Sequence, residues 1–262
     1  MTSPALSGDD VDTFAATLDQ ATLDVKPVVK LTATKPFTLA EGYAIQRAGI
    51  ALRKLRGDDL VGLKMGLTSR AKMVQMQVDV PIYGHLTKSM ILDDGGTVLR
   101  ARHIHPRVEP EVAFLLKRDL EGPVTPAQAL AAVDCCCCAL ELIDSRFENF
   151  QFTLEDVVAD NASSSRFVLG SLVRPRDFDT GNLGMVMTRN GVVVETGSSA
   201  AIYEHPARSL AALANQLVSL GEKLKAGMIV MTGGATAAMA LAPGDHARVD
   251  VDGLGSAELF VA

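Results

Sequence analysis

The spacing of apolar and polar residues predicts a small number of helices. Apolar positions recur with a helical period through 9–23, and Thr38-Leu39-Ala40-Glu41 forms a capping box before a second periodic stretch that Gly57 ends. Thr125 followed by Pro126 has the residue types that start a helix. The predicted helices are 9–23, 38–57, one that begins at Thr125, and 206–220.

Strand-like segments outnumber these helices. Asn190-Gly191 and Asp252-Gly253 have the residue types of hairpin turns between two pairs of strands. Because strands and helices do not alternate regularly, the pattern argues against a doubly wound or barrel α/β fold. It favours an α+β fold with a β-rich mixed-sheet core. The predicted strands are 60–65, 97–99, 108–116, 135–143, 167–173, 185–188, 192–195, 228–231, 247–251 and 257–261.

No repeat or low-complexity linker divides the chain into independent domains. We therefore expect residues 1–58 to form a small helical N-terminal region packed on the core. Residues 59–262 should form the β-rich catalytic domain.

Composition and charge exclude several functional classes. The 262 residues include 25 Lys and Arg against 31 Asp and Glu, so the formal net charge of −6 argues against a nucleic-acid-binding protein. The N-terminal residues have no basic segment followed by an apolar one, and no apolar run is long enough to span a membrane. We expect a soluble cytoplasmic protein.

Four consecutive cysteines, Cys135 to Cys138, suggest a metal or disulfide site at first sight. Successive side chains on a strand point to opposite faces, so four in a row do not converge on one tetrahedral ion. A bridge between adjacent cysteines would be strained. The pattern favours small apolar side chains in a strand that is buried on both faces.

Three acidic residues occur in segments that read as buried strands. Glu109 and Glu111 share one face of a strand, and Glu141 lies inside the apolar run 138–143. Buried carboxylates need a cation, and three of them with water suit Mg²⁺ or Mn²⁺. Two alternatives stay open: Glu109 and Glu111 face water, and Glu141 pairs with Arg146.

Lys64 is also a charged residue within an apolar strand. Its ammonium group would there bind an anion or donate a proton. The alternative is that the side chain extends along the strand and its ammonium group reaches water. The segment Met231-Thr232-Gly233-Gly234 ends a strand in small residues, and such a loop offers backbone amides to a carboxylate. The sequence has no GxGxxG, GxxxxGK[ST], GxSxG or HExxH motif, and its five histidines show no metal-ligand spacing.

Six separated motifs resemble the hydratase/decarboxylase branch of the fumarylacetoacetate hydrolase fold superfamily, over about residue 40 to the end. Among them GLKMGLTS, PIYG, DSRFENF and MTGGATAA are more similar to the decarboxylases than to the hydratases. Asp79 departs from this pattern, because the hydratases have Asp there and the decarboxylases Glu. The six motifs are GLKMGLTSRAKM (62–73), VPIYG (80–84), IHPRVEPEVA (104–113), ELIDSRFENF (141–150), VVADNASS (157–164) and MTGGATAAMALAPGD (231–245).

This resemblance implies a β-rich fumarylacetoacetate hydrolase C-terminal-like fold and a site for Mg²⁺, with Mn²⁺ as an alternative. It implies that Glu109, Glu111 and Glu141 are metal ligands and that Lys64 and Asp79 are catalytic residues. The positions matched to the substrate-lining motifs are Arg146, Ser163, Thr232 and Gly233.

The implied activity is metal-dependent decarboxylation of 2-oxo-3-hexenedioate to 2-hydroxypenta-2,4-dienoate and CO₂, in the meta-cleavage route of aromatic degradation. Two alternatives are hydration of 2-oxopent-4-enoate and a non-catalytic subunit of that hydratase. The resemblance also implies a homo-oligomer that associates with the hydratase.

Overall fold

The computed structural model describes residues 5–70, 73–74, 78–174 and 179–262. Residues 1–4 of the predicted N-terminal region and residues 71–72 of the motif 62–73 lie outside the described part. No helix among the described residues combines the length and the apolar character needed to cross a membrane.

The helices follow the start signals in the sequence. Thr38 accepts a hydrogen bond from the Glu41 amide while the Glu41 carboxylate bonds back to Thr38, so the predicted capping box is confirmed. Ser7, Thr125 and Thr153 cap three further helices in the same way. The helices are α1 (Gly8–Asp24), α2 (Leu31–Thr34), α3 (Leu39–Leu55), α4 (Pro126–Leu130), α5 (Leu154–Ala159) and α6 (Pro206–Val218).

The strands form two sheets in the described residues. The larger sheet has the order β2-β1-β10-β5-β6-β7-β3, with β11 also paired to β5, and the smaller has the order β4-β13-β12-β8-β9. Strand β1 is parallel to β10, whereas β5 and β6 are antiparallel. The strands are β1 (Leu60–Gly66), β2 (Ile82–Thr87), β3 (Ile91–Leu92), β4 (Gly96–Val98), β5 (Arg107–Leu116), β6 (Val133–Ile143), β7 (Ser164–Leu169), β8 (Gly184–Arg189), β9 (Val192–Ser198), β10 (Ile229–Met231), β11 (Met239–Ala240), β12 (His246–Val251) and β13 (Gly255–Val261).

One face of the larger sheet packs against the smaller sheet. Val112 and Leu140 from the larger sheet share the main apolar cluster with Val249 and Leu259 from the smaller one. These side chains are almost fully buried, as expected for two sheets that pack face to face. The predicted α+β class with a β-rich mixed-sheet core is confirmed.

The opposite face of the larger sheet is curved around a second apolar cluster. Leu86 of β2 packs in the same cluster as Phe167 of β7, although these strands lie toward opposite ends of the sheet. Ala113, Ala139 and Cys137 are also in this cluster. The acidic residues of β5 and β6 therefore point toward the inside of this curve, above small side chains.

The cysteines pack as the sequence predicts. Cys136, Cys137 and Cys138 are buried in β6, and Cys135 is half-buried; all four are free thiols. Burial raises the pKa of the Cys137 thiol to about 12, so it stays protonated and unreactive at neutral pH.

The N-terminal helices pack on each other and on the region beside the acidic residues. Phe14 of α1 and Ile45 of α3 share an apolar cluster with Phe147 and Ala159. The helices within 1–58 thus contact the β-rich region, and the boundary at residue 58 stays a prediction.

Several elements depart from the sequence prediction. Strand β2 is absent from the predicted strands, and its outer edge is covered by the Asn161 side chain, which bonds both backbone groups of His85. Helix α5 is too short for its periodicity to show. The strand predicted at 167–173 begins earlier, at Ser164, and ends at Leu169, although Val173 still forms an isolated bridge with Cys136 of β6.

Candidate active site

Three glutamates converge inside the curved sheet. Glu109 on β5 lies directly opposite Glu141 on β6, and Glu111 lies two residues further along the same face. Each offers a carboxylate oxygen, and the three oxygens lie within 4.8 Å of one another. The side chains are 7%, 0% and 1% exposed in the order Glu109, Glu111 and Glu141. The alternative in which Glu109 and Glu111 face water is therefore wrong.

Burial and mutual repulsion disfavour the ionised form of the carboxylates in this cluster. Burial, and then the charge of Glu141, raise the pKa of Glu111 well above its usual value. Burial also raises the pKa of Glu141, although Lys64 opposes the shift. Oε1 of Glu111 and Oε1 of Glu141 have no hydrogen-bond partner in the described part of the chain. Three buried carboxylates whose oxygens converge form a ligand set that suits a divalent cation.

Lys64 supplies the ammonium of the site. Its Nζ lies 2.9 Å from Oε2 of Glu141 and donates a hydrogen bond of 3.0 Å to the carbonyl of Ala162. Lys64 is 3% exposed, so the alternative of a lysine that reaches water is wrong, and Glu141 pairs with Lys64 rather than with Arg146. An ammonium has three donors, so one N–H is left for a bound molecule.

The turn 161–163, whose Ala162 carbonyl accepts the hydrogen bond from Lys64, has an unusual backbone. Asn161, Ala162 and Ser163 all have positive φ values, of 52°, 51° and 56°. Such consecutive left-handed residues are strained unless their surroundings hold them, and strain of this kind concentrates at functional sites. The Ser163 hydroxyl in this turn is buried and has no hydrogen-bond partner among the described residues.

The small residues after β10 lie against the side chains of Glu109 and Glu111. Because β1 and β10 are parallel, the segments that follow them leave the sheet at the same edge. The Gly233 amide donates a hydrogen bond of 2.7 Å to Oε2 of Glu111. A Cβ on Gly233 would lie 2.1 Å from Oγ1 of Thr68, and one on Gly234 would lie 2.1 Å from Oε2 of Glu109. Both positions therefore require glycine.

Thr232 and Arg146 make contacts within the protein. The Thr232 hydroxyl donates to the Val112 carbonyl at 2.7 Å, which fixes the start of the glycine segment. The Arg146 guanidinium bonds the Asp160 carboxylate and the backbone carbonyls of Asp144, Asp160 and Ser164. These contacts give both side chains a positioning role, and their direct contact with substrate stays a prediction.

Asp79 lies on an exposed bend before β2. No contact between Asp79 and the three glutamates occurs among the described residues. The residues just before it, 75–77, lie outside the described part, and the catalytic role of Asp79 stays a prediction.

Arg107 is a candidate that the sequence reasoning missed. It lies two residues before Glu109, so its side chain leaves β5 on the same face as Glu109 and Glu111. Its guanidinium lies 4.3 Å from the ring centroid of Phe150 and has no carboxylate partner among the described residues. The parity of β5 was the available signal, because Arg107 shares it with the two acids.

Comparison with known proteins defines the family. The family model for the C-terminal region of fumarylacetoacetate (FAA) hydrolase matches residues 61–262. The chain belongs to the FAA hydrolase family. The matched region contains all three glutamates, Lys64 and the glycine segment after β10.

Relatives within the FAA hydrolase family cover nearly the whole chain. A 4-oxalocrotonate decarboxylase from Pseudomonas sp is 49% identical over 246 residues, covering 94% of this chain and 96% of the relative. A 2-keto-4-pentenoate hydratase from Burkholderia vietnamiensis is 38% identical over 255 residues, covering 95% and 96%.

A solved structure resembles this FAA hydrolase family member closely. It is the 4-oxalocrotonate decarboxylase from Pseudomonas putida G7 complexed with magnesium and adipate, with a TM-score of 0.96 and 43% identity. The match covers 98% of this chain and 99% of that one. The predicted membership of the hydratase/decarboxylase branch is confirmed.

Proposed function

We propose that this protein is a metal-dependent decarboxylase that converts 2-oxo-3-hexenedioate (4-oxalocrotonate) to 2-hydroxypenta-2,4-dienoate and CO₂. The observation that carries the proposal is the cluster of three buried glutamates beside Lys64. The greater identity to a decarboxylase, 49%, than to a hydratase, 38%, supports this reaction over hydration.

Glu109, Glu111 and Glu141 would hold Mg²⁺, and Mn²⁺ would fit the same ligands. Their oxygens suit a hard cation, and the unpaired Oε1 atoms of Glu111 and Glu141 need a positive partner. The Pseudomonas putida G7 decarboxylase was solved with magnesium. When bound, the cation supplies Lewis-acid polarisation of the 2-oxo group and neutralises the adjacent carboxylate.

The protein groups stabilise the charge that develops as CO₂ leaves. The bond between C5 and C6 breaks, and its electron pair moves through the alkene to the oxygen on C2. Lys64 then stabilises the dienolate through the N–H that neither Glu141 nor Ala162 uses. One proton is taken up at that oxygen, which gives the dienol product. The buried Ser163 hydroxyl is a further donor in the turn beside Lys64.

Arg107 suits the second carboxylate of the substrate. A dicarboxylate has one anionic end near the cation and a second end several bonds away, and Arg107 lies on the face that carries Glu109 and Glu111. Phe150 orients the guanidinium by stacking against it. Since the leaving carboxylate becomes neutral CO₂, this contact holds the substrate and contributes less to the transition state.

We also infer that the protein is cytoplasmic, forms a homo-oligomer and associates with a 2-oxopent-4-enoate hydratase. The dienol product of the decarboxylase is the species that such a hydratase would consume, so association would shorten the path between the two sites. Co-purification of the two proteins, followed by mass measurement of the complex, tests this inference.

The reaction is tested by product analysis with purified protein, Mg²⁺ and 2-oxo-3-hexenedioate. We expect stoichiometric release of CO₂ and of 2-hydroxypenta-2,4-dienoate. Hydration of 2-hydroxypentadienoate without CO₂ release would instead identify a hydratase. If neither reaction occurs and EDTA changes nothing, a non-catalytic role replaces both enzyme assignments.

A further inference from the structure

A cavity separate from the glutamate cluster lies beside the turn 161–163, whose Ala162 carbonyl accepts a hydrogen bond from Lys64. It has a volume of about 570 Å³ and is bordered by α1, α3, the segment 99–103 and the start of β7. This volume lies within the range of small-molecule sites, roughly 300–1,000 Å³. None of Glu109, Glu111, Glu141 or Lys64 lines it.

The cavity is positively charged although the protein is acidic. Five arginines and three aspartates line it; with Asp160, which pairs with Arg146, the formal balance is +1 within a chain of net charge −6. The buried His103 adds no charge at neutral pH, because burial lowers its pKa. The arginines are Arg53, Arg56, Arg102, Arg146 and Arg166.

The three aspartates of the cavity already have other partners. Asp19 forms two hydrogen bonds of 2.7 Å with Arg56. Asp58 accepts from the amide and hydroxyl of Ser89, and Asp144 accepts from the amides of Ile104 and His105. Among the described residues, Arg56 is thus the one lining arginine that forms a salt bridge with these aspartates.

Three of the arginines make no hydrogen bond to a carboxylate in the described part of the chain. Arg53 is half-buried and lies near Arg146. Burial, and then the charge of Arg146, lower the pKa of Arg53 to about 10, although Asp19 and Asp58 oppose the shift. The guanidinium of Arg166 bonds only the Ser89 carbonyl there, and Arg102 is exposed at the rim. Like charges held close in a partly buried cavity repel each other unless an anion lies between them.

We propose that this cavity is a binding site for a small multivalent oxyanion, held by Arg53, Arg102 and Arg166 and touching Arg146. Guanidinium groups match phosphate and carboxylate oxygens through paired N–H donors. The volume of about 570 Å³ suits a small anion better than an acidic polypeptide segment. Arg146 also binds Asp160 and the Ser164 carbonyl, which flank the turn 161–163, so an anion at Arg146 would touch the support of the turn that accepts from Lys64.

The site is tested by titrating the full-length, Mg²⁺-loaded protein with inorganic phosphate and, separately, with succinate, at constant ionic strength. We expect saturable binding by calorimetry and a rise in Tm for at least one of the two, and the tighter one identifies the oxyanion class. The double variant Arg53→Met, Arg166→Met should weaken this binding at least 10-fold. Arg208→Met, which removes an exposed arginine paired with Glu204, should bind as the wild type does.

A second readout separates an anion site from a purely structural arginine cluster. Without added anion, Arg53→Met should unfold at the same temperature as the wild type or higher, because it removes a charge that faces Arg146. With anion, only the wild type should gain stability. Equal binding by the double variant and the wild type, a response matched by sodium chloride, or binding of poly-glutamate but of neither small anion would overturn the proposal.

Discussion

Glu109 and Glu141 face each other across an antiparallel pair of strands, where two like charges are destabilising unless a cation separates them. Glu109→Gln keeps the shape of the side chain and removes one negative ligand. We predict that this variant loses more than about 100-fold in Mg²⁺ affinity and activity, since even indirect supports of a metal site contribute 10- to 100-fold. Calorimetry and the CO₂ assay measure both effects.

The exposed Glu148 offers a matched control for this change. Glu148→Gln should keep wild-type affinity and rate, and circular dichroism should show both variants folded. Wild-type turnover by Glu109→Gln would contradict the ligand assignment.

Arg107 should govern affinity for the dicarboxylate more than the rate of bond breaking. A hydrogen bond to a charged group contributes about 1.5–3 kcal/mol, so Arg107→Met should raise KM roughly 10- to 150-fold. The value of kcat should change less, because the lost contact is to the carboxylate that leaves. Steady-state kinetics with 2-oxo-3-hexenedioate measures the two parameters.

A ligand without the second carboxylate isolates this contact. Inhibition by 2-oxopentanoate should be the same for Arg107→Met and the wild type, and the exposed Arg118→Met should leave all constants unchanged. An equal loss of affinity for both ligands would show that Arg107 supports the site only indirectly.

At the scale of elements, the glycines in the segment after β10 leave space for the glutamate side chains. A Cβ at Gly234 would lie 2.1 Å from Oε2 of Glu109, so Gly234→Ala must displace that carboxylate. We predict at least 10-fold weaker Mg²⁺ binding, on the scale of other changes that misplace a metal ligand. Gly184→Ala, where a Cβ meets nothing within 4 Å, is the control. Unchanged Mg²⁺ affinity in Gly234→Ala would mean that Glu109 is not held by this loop.

Strand β2 introduces a pH dependence of folding through His85. Burial, and then the charge of Arg47, lower the pKa of His85 to about 4 from 6.5. The unfolded chain therefore binds a proton more readily than the folded one between these pH values, so stability falls as pH decreases from 6.5 toward 4. The expected loss is about 3 kcal/mol.

Urea unfolding at pH 7.5 and pH 4 measures this loss in the wild type and in His85→Gln. The variant cannot titrate at this position, so it should lose about 3 kcal/mol less than the wild type over the same interval. Identical losses in the two proteins would show that His85 does not contribute.

The elements that sequence predicts well are those with strong local signals. The capping box at Thr38 and the apolar run around Glu141 each depend on neighbouring residues, and both lie where the pattern placed them. Strand β2 was missed because its signal is not local: Asn161, 76 residues from His85, covers its edge. The roles of Ala162 and Gly234 in the site likewise depend on how closely their backbone lies to Lys64 and Glu109. The residue types alone do not show this.

At the scale of the whole molecule, the curved larger sheet brings distant residues to one place. Lys64 on β1 and Glu141 on β6 lie on strands that are not neighbours, and their 2.9 Å ion pair requires the sheet to curve. The smaller sheet covers one face, so the glutamates open on the other. The fold thus supplies a buried set of three carboxylates whose oxygens converge as a divalent cation requires.

The most direct measurement is the rate of CO₂ release from 2-oxo-3-hexenedioate by metal-free protein as Mg²⁺ is added back. Bound Mg²⁺ is counted in parallel by calorimetry. The account predicts negligible release without metal and a rate that rises in proportion to occupancy, reaching its maximum at one ion per chain. Full decarboxylation by metal-free protein, or metal binding that restores no activity, would contradict it.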